Sequence, residues 1–340
     1  MRVRATPGAT APAPRARSRH RDANRDPPTD NQDGALVLAL AHASPAAPWR
    51  IADLLGSVPS ASALLSAGMA STSLAHLSGW RGDLAAVLAE SQSRSSILAN
   101  LDYFRSMIHR AHAFNGSRLV TVLDAAYPAN LRAVPKHPPY LFVRGGLSET
   151  DRRSVAVVGT RRPSSAGLAL AAAIADGLVQ LGVTVTSGLA RGIDAAAHEA
   201  VLEAAGRTVA VVGTGTSKTY PQEHAALADL VSRNGAIVSQ FLPNAPASRH
   251  SFLLRNAVTS GMSLGTCVIE APENGGAFNQ AMLALAQRRM LLLPHVLVDR
   301  EPWARSAARH SYAMVIHDAQ DIVDALGAAT RHNLTLDRLL

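Results

Sequence analysis

The chain has 340 residues, 47% of them hydrophobic, and a formal net charge of +8 carried almost wholly by arginine, Lys136 and Lys218 being the only lysines. That length and apolar content suffice for a sizeable core and suggest two domains with tails, and the basic balance favours an acidic partner, nucleic acid first. The single Cys267 excludes an internal disulfide and suits a reducing cytoplasm. No apolar run reaches membrane-spanning length, the longest candidate (166–185) being broken by Asp176 and Gln180. The arginines near the N-terminus are followed by no apolar core of a signal peptide.

Residues 1–33 are rich in Arg, Pro, Ala, Asp and Asn and carry no periodicity. They read as a disordered basic arm, either a weak attraction for DNA or a dispensable tail. From 34 to 114 short helical patterns recur. Leu36, Val37, Leu38 and Leu40 begin one, Ile51 with Leu54 and Leu55 a second, Ala61 with Leu64 and Leu65 a third, and Gly56, Pro59 and Gly68 punctuate them. This small helical domain is expected either to touch DNA or to serve as a packing partner for the rest of the chain. His109 and His112 have the spacing of a metal pair on a helix, but no second pair accompanies them, so they read as a solvated face.

Two short β-branched or aromatic runs, 118–128 and 138–145, are bounded by turn residues and read as an edge strand and a connection. Then the pattern sharpens. Val155–Val158 ends at Gly159, and an alanine-rich helix begins near Ser165. The run 183–186 leads into Ser187-Gly188, and another helix begins after Ile193. Thr208–Val212 ends in Gly213-Thr214-Gly215, and Ala236–Ser239 is the next strand. A helix through 252–263 leads to Gly265–Glu270, and Leu291–Leu293 and Ala313–Ile316 complete the alternation. The fold class is therefore α/β, an extended Rossmann-like, doubly wound and mostly parallel sheet over 115–326, with a tail at 327–340. Its apolar last strands are expected to be covered by a partner.

Each turn sets backbone N–H groups at the carboxyl end of a strand, where an open α/β sheet binds its ligand and where an anion is favoured. Gly159, Thr160, Arg161 and Arg162 offer close backbone approach, a hydroxyl and planar guanidinium forks suited to phosphate; the bland alternative is a capping turn with solvated arginines. Ser187, Gly188, Arg191 and Gly192 form the second turn. Asp194 and His198 lie four apart on one helix face, either as an acid–base dyad or as a cap that fixes the histidine. In the third loop Lys218 suits a phosphate, and Tyr220 is either a stacking face or a wedge beneath the sheet.

The motif Val157-Val-Gly159-Thr160-Arg161-x-x-Ser164-x-x-Gly167, followed by Ser187-Gly188-Leu-Ala-Arg191-Gly192-Ile-Asp194-x-x-Ala197-His198, resembles the DprA (Smf) family of DNA-processing proteins. Phe252, Arg255 and Asn256 match a further family motif, with Leu253 and Ala257 replacing its proline and second arginine. Beyond residue 270 the likeness erodes. Gly275-Gly276-Ala277 stands for Ser-Gly-Ser, Gln280 for threonine, Leu293-Pro294-His295 for Val-Pro-Gly, and Trp303-Ala-Arg305-Ser for an expected Gly-x-Asn segment. The family's C-terminal winged helix is not expected here. The resemblance implies a cytoplasmic homodimer, without catalytic chemistry, metal or cofactor. It would bind single-stranded DNA, protect incoming strands in natural transformation and load the RecA recombinase. It assigns backbone contacts to Gly159, Thr160, Ser187, Gly188, Gly192, Gly213 and Gly276. Arg161, Arg191, Lys218 and Arg255 would track the sugar–phosphate chain, Asn256 lies beside them, and Tyr220 or Phe252 would stack on a base. A nucleotide sensor or LOG-like nucleotide hydrolase of the same superfamily is the alternative. Its Pro-Gly-Gly-x-Gly-Thr-x-x-Glu loop is matched here only by Pro272-Glu-Asn-Gly275-Gly276-Ala-Phe-Asn-Gln280, which lacks the glutamate.

Overall fold

A computed structural model of the chain describes residues 32–43, 47–69 and 91–336. The expected arm lies outside these residues except for its last two, which open the first helix. Helices α1 (Gln32–Ala43), α2 (Trp49–Leu55), α3 (Ala61–Met69), α4 (Ser91–Ala99) and α5 (Leu101–Asn115) precede the sheet. Residues 34–41 of α1 are buried without interruption, so this helix is enclosed on every side. Its neighbours in the core include Leu141, Phe142 and Val143 of the sheet as well as Phe104 and Ile108 of α5. The helical segment thus shares a core with one end of the sheet and serves as its packing layer. His109 and His112 lie on α5, and among the described residues no cluster of side chains could hold a metal ion.

The sheet has nine strands: β1 (Arg118–Thr121), β2 (Tyr140–Gly145), β3 (Ser154–Val158), β4 (Thr184–Ser187), β5 (Thr208–Val211), β6 (Ala236–Ser239), β7 (Gly265–Val268), β8 (Met290–Pro294) and β9 (Ala313–Ile316). They stand in the order β1-β2-β6-β5-β4-β3-β7-β8-β9. All pairs from β6 to β9 across the sheet are parallel, whereas β2 runs antiparallel to both β6 and β1. The segment expected to give one edge strand and a connection therefore gives two strands. Every residue of β3 to β7 is buried, which explains their nearly unbroken apolar runs: helices cover both faces. These are α6 (Ser165–Gln180), α7 (Ile193–Glu203), α8 (Ala225–Asn234), α9 (Arg249–Met262), α10 (Gly276–Ala286) and α11 (Ala319–Leu336), the last continuing through most of the expected tail. No described helix is long and apolar enough to cross a membrane.

The chain winds outward from β3 through β4, β5 and β6, then returns along α9 to β7 on the other side of β3. The switch in strand order therefore falls between β3 and β7, and a crevice must open at their carboxyl ends. The segment that replaces the family's Gly-x-Asn pattern has a structural task nearby. Trp303 is buried edge-on against Phe278, and its indole N–H donates to the Ala271 carbonyl at 2.9 Å, which fixes the loop leaving β7.

His198 lies wholly inside, between α7 and β5. Its partner is not Asp194, as the spacing suggested, but Thr208. The Thr208 hydroxyl donates to the Val185 carbonyl (2.8 Å), so it must accept from His198, whose Nδ1 is 2.7 Å away. Nδ1 then carries the proton and Nε2 is left without a partner. Burial, aided by the positive charge of Arg255, lowers the imidazole pKa from 6.5 to about 3. The unfolded chain therefore takes up a proton first as pH falls, and stability present above about pH 6.5 is lost progressively toward pH 3. Urea denaturation at stepped pH should show a loss of about 1.4 kcal/mol per unit that is missing in His198→Asn. Parallel curves for the two proteins would contradict a buried neutral imidazole.

Candidate nucleic-acid interface

The crevice at the strand-order switch is a cleft of about 470 Å³. The β3 turn lines one wall with Gly159, Thr160, Arg161 and Arg162, α9 contributes Arg249, Phe252, Arg255 and Asn256, and the start of α10 closes the far side with Gly275, Gly276 and Gln280. The floor is set by a charge pair. Asp194, in the first turn of α7, and Arg255, from α9, are both buried, with 3.7 Å between carboxylate and guanidinium. The Arg255 side chain also donates to the Val211 carbonyl of β5 at 3.2 Å. Burial raises the Asp194 pKa, while Arg255 and the N–H groups of Ala190 and Gly159 pull the other way; burial likewise lowers that of Arg255.

The Ser-Gly-Leu-Ala-Arg-Gly-Ile-Asp motif is the housing of this pair. A Cβ on Gly188 would stand 1.3 Å from a terminal guanidinium nitrogen of Arg255 and 2.5 Å from the Asp194 carboxylate, so only glycine leaves room. The Ser187 hydroxyl donates to the Val157 carbonyl (2.7 Å) and holds the turn against β3. Gly192 sits at φ +77°, where a Cβ would be strained and would also meet the Thr160 carbonyl at 2.5 Å. That close approach brings the β3 and β4 turns together.

Above the pair lies Phe252. The Arg161 guanidinium stands 5.1 Å from its ring centroid and that of Arg255 6.0 Å, while the Tyr220 ring is 5.5 Å away and tilted by 50°. A Cβ on Gly213 would collide with the same ring at 2.7 Å. Three separate segments thus meet at one half-buried aromatic, with a cation on it and a second, 44% exposed aromatic beside it. Tyr220 is accordingly on the surface and not wedged under the sheet.

The expected phosphate contacts divide. Arg161 is exposed at the cleft wall. Arg255 is committed beneath the floor and serves the cleft by holding Asp194 and Phe252. Arg191 lies on the flank in an exposed ion pair with Glu223, a contact of small net worth. Lys218 is exposed on the third loop, with its carbonyl bonded to the Thr214 hydroxyl. Asn256 donates to the Gly276 carbonyl (3.2 Å) and thereby sets α9 against the start of α10.

The helix N-termini that follow β3 and β7 differ. That of α6 is capped by Ser164, which is itself bonded to the Glu270 carboxylate, so a negative group already sits there. That of α10 has no side-chain cap, and space is open at Gly276. Its backbone donors, and a Gln280 side chain whose Nε2 is buried without a partner, face the cleft. The sequence motifs do not single out Arg249 or Gln280 as binding residues. Arg249 opens α9 directly after the Ser248 cap, inside the Ser248–Ser251 capping box.

Residues 118–327 match the family described as DNA recombination-mediator protein A. The chain belongs to that family. The recombination-mediator match covers the whole sheet, including the antiparallel strand β2 and the edge strand β1. Relatives include Protein Smf of Escherichia coli, 41% identical over 170 residues (49% of this chain, 46% of that one), and Protein Smf of Synechocystis sp., 33% identical over 234 residues (67% and 58%). DNA processing protein DprA of Bacillus subtilis is 30% identical over 220 residues, 64% of this chain and 73% of that one. The matched part thus spans about half the length of the two Smf proteins. Among solved structures, DprA of Streptococcus pneumoniae superposes with a TM-score of 0.62 at 25% identity, covering 76% of this chain and 90% of that one. DprA of Helicobacter pylori shares the fold with a TM-score of 0.55 at 22% identity, covering 62% and 96%.

The charge pair generates a stability prediction. Asp194→Leu or Arg255→Met alone leaves a lone buried charge and should cost about 3–5 kcal/mol in chemical denaturation, whereas the double variant should regain most of that loss. Gly188→Ala should match the single variants, because it forces Arg255 out. Single-variant losses below about 1 kcal/mol would show that the pair does not set the floor.

Proposed function

We propose that this chain is a DNA-processing protein that binds single-stranded DNA in the β3–β7 cleft without bond-making chemistry. One observation carries the reading: Arg161, Tyr220 and Phe252, from three separate segments, form a cationic and aromatic platform at the strand-order switch, beside an uncapped helix N-terminus. Guanidinium and backbone N–H groups suit the sugar–phosphate chain, and the aromatic faces accept bases of any sequence. The solved DprA structure from Helicobacter pylori concerns that protein's single-stranded DNA binding mode, which supports the same ligand here. A duplex keeps its bases stacked inside and offers nothing to Phe252 or Tyr220. A hydrolase reading finds less support. Asp194 is the carboxylate lining the cleft among the described residues, and it is paired with Arg255.

Further steps rest on the family resemblance. The bound strand is protected and passed to the RecA recombinase, as incoming DNA is processed in transformation. The chain acts as a homodimer in the cytoplasm. The unpaired edge strand β9, which leaves Met314 and Val315 partly exposed, supports a partner at that edge.

Binding of a fluorescent oligonucleotide, single-stranded against double-stranded, across a salt series tests the reading. Arg161→Ala should weaken single-strand binding for all sequences alike and reduce the log–log salt slope by about 0.7, the value for one phosphate contact on a single strand. Arg233→Ala, an exposed arginine at the opposite end of the sheet, is the control. Equal loss in both variants would mean diffuse attraction with no organised site.

A further inference from the structure

A second hollow, of about 400 Å³, opens where α5 passes the loop after β6. Tyr103, Met107 and Arg110 line it from α5, and Gln240, Phe241 and Asn244 from the loop. On α5, residues 103, 107, 110 and 114 recur at helical spacings of four, three and four and share one stripe. Met107 turns inward, but Tyr103 is 55% and Phe114 72% exposed, with Arg110 between them. Two aromatics left so far in water on one stripe do nothing for the core of α5, which is made by Phe104, Met107, Ile108 and Ala111.

The Gln240 side chain adds an independent sign. Its Nε2 is buried and has no hydrogen-bond partner among the described residues. A buried amide donor left unmade is unfavourable, and the edge of a nucleobase supplies the missing acceptor. Arg110 bonds Ser106 through one nitrogen, which leaves further donors for a phosphate.

One anchored loop joins the hollow to the first cleft. Asn115, at the end of α5, donates to the Thr216 carbonyl at 2.7 Å, and the Ser117 hydroxyl to that of Thr216 at 2.9 Å. The Gly215 and Ser217 N–H groups donate to Ala245 and Pro243, both at 2.9 Å. The loop so anchored carries Lys218 and Tyr220, and Tyr220 reaches Phe252. Both sites lie at the carboxyl ends of the parallel strands, β3 and β6 being three strand spacings apart, about 14 Å. A few nucleotides of extended single strand span that distance.

We propose that this hollow is a second subsite for the same single strand, taking a nucleobase against Tyr103 and Phe241, with Gln240 bonding its edge and Arg110 on the adjoining phosphate. The proposal rests on the reading of the first cleft as a single-strand site. The helical segment is then a working part of the interface as well as a packing layer.

Oligonucleotide length separates the two sites. Affinities are measured for a strand of roughly six nucleotides, which fills the first cleft, and one of roughly 25, which reaches both. Tyr103→Ala and Gln240→Ala should leave the short strand bound as by the unsubstituted protein, and Tyr103→Ala should weaken the long strand about fivefold or more, the loss of one stacked base. Arg161→Ala should weaken both. Because Tyr103 is exposed, its replacement should leave the thermal midpoint unchanged, and melting of each variant checks this. If both α5-side variants hold the long strand with full affinity while Arg161→Ala does not, the second subsite is overturned and the first stands. If Arg161→Ala binds both lengths with full affinity, the first reading falls and this one with it.

Discussion

The Asp194–Arg255 pair beneath Gly188 is the interaction on which the candidate site depends. It joins the first turn of α7 to α9, and through the Val211 carbonyl it reaches β5. Two charges buried at this depth are held only because each has the other and because backbone N–H groups serve the carboxylate. Their positions in turn decide what can lie above. Phe252 rests over the Arg255 guanidinium and against Gly213, Arg161 covers it from the β3 turn, and Tyr220 stands at its side. A platform of this kind recruits side chains from several loops, and its geometry is preorganised from below.

That arrangement explains an apparent waste of a basic residue. An arginine at the lip of a parallel sheet would ordinarily serve a phosphate directly. Here Arg255 is nearly inaccessible, and its contribution is to fix a ring and neutralise a carboxylate that would otherwise repel an anion. The accessible charge comes instead from Arg161, Arg162 and Arg249, with Arg191 and Lys218 on the flank. Division of labour between buried and exposed cations leaves the rim charges accessible, as the proposed single-strand site requires.

Much of the fold was legible because its signals are local. Short β-branched and apolar runs ended by glycine mark β3, β4 and β5, and each appears within a residue or two of where the pattern puts it. The motif turns were legible as glycine-bearing strand ends, although what demands the glycines is distant in sequence: Arg255 at Gly188, and the Thr160 carbonyl together with a positive φ at Gly192. What the sequence concealed is choice of partner. The four-residue spacing of Asp194 and His198 suggested a contact, yet each found a better one, Arg255 on α9 and Thr208 on β5. Periodicity says which face of a helix is inward and is silent on which distant side chain meets it. The shared core of the helical segment was hidden likewise. Nothing local in residues 35–41 announces that they share a core with Leu141 to Val143.

The central claim is that nucleic acid lies on this platform and not merely near a basic surface. Photo-crosslinking of a single-stranded oligonucleotide containing 5-iodo-deoxyuridine, with identification of the attached peptide, tests it most directly, because the base couples efficiently to an aromatic side chain stacked on it. The account predicts attachment at Phe252 or Tyr220, lost in Phe252→Leu for the first residue and retained elsewhere. Crosslinks confined to the β8–β9 end of the sheet, or scattered over the surface in a complex of demonstrated affinity, would contradict it.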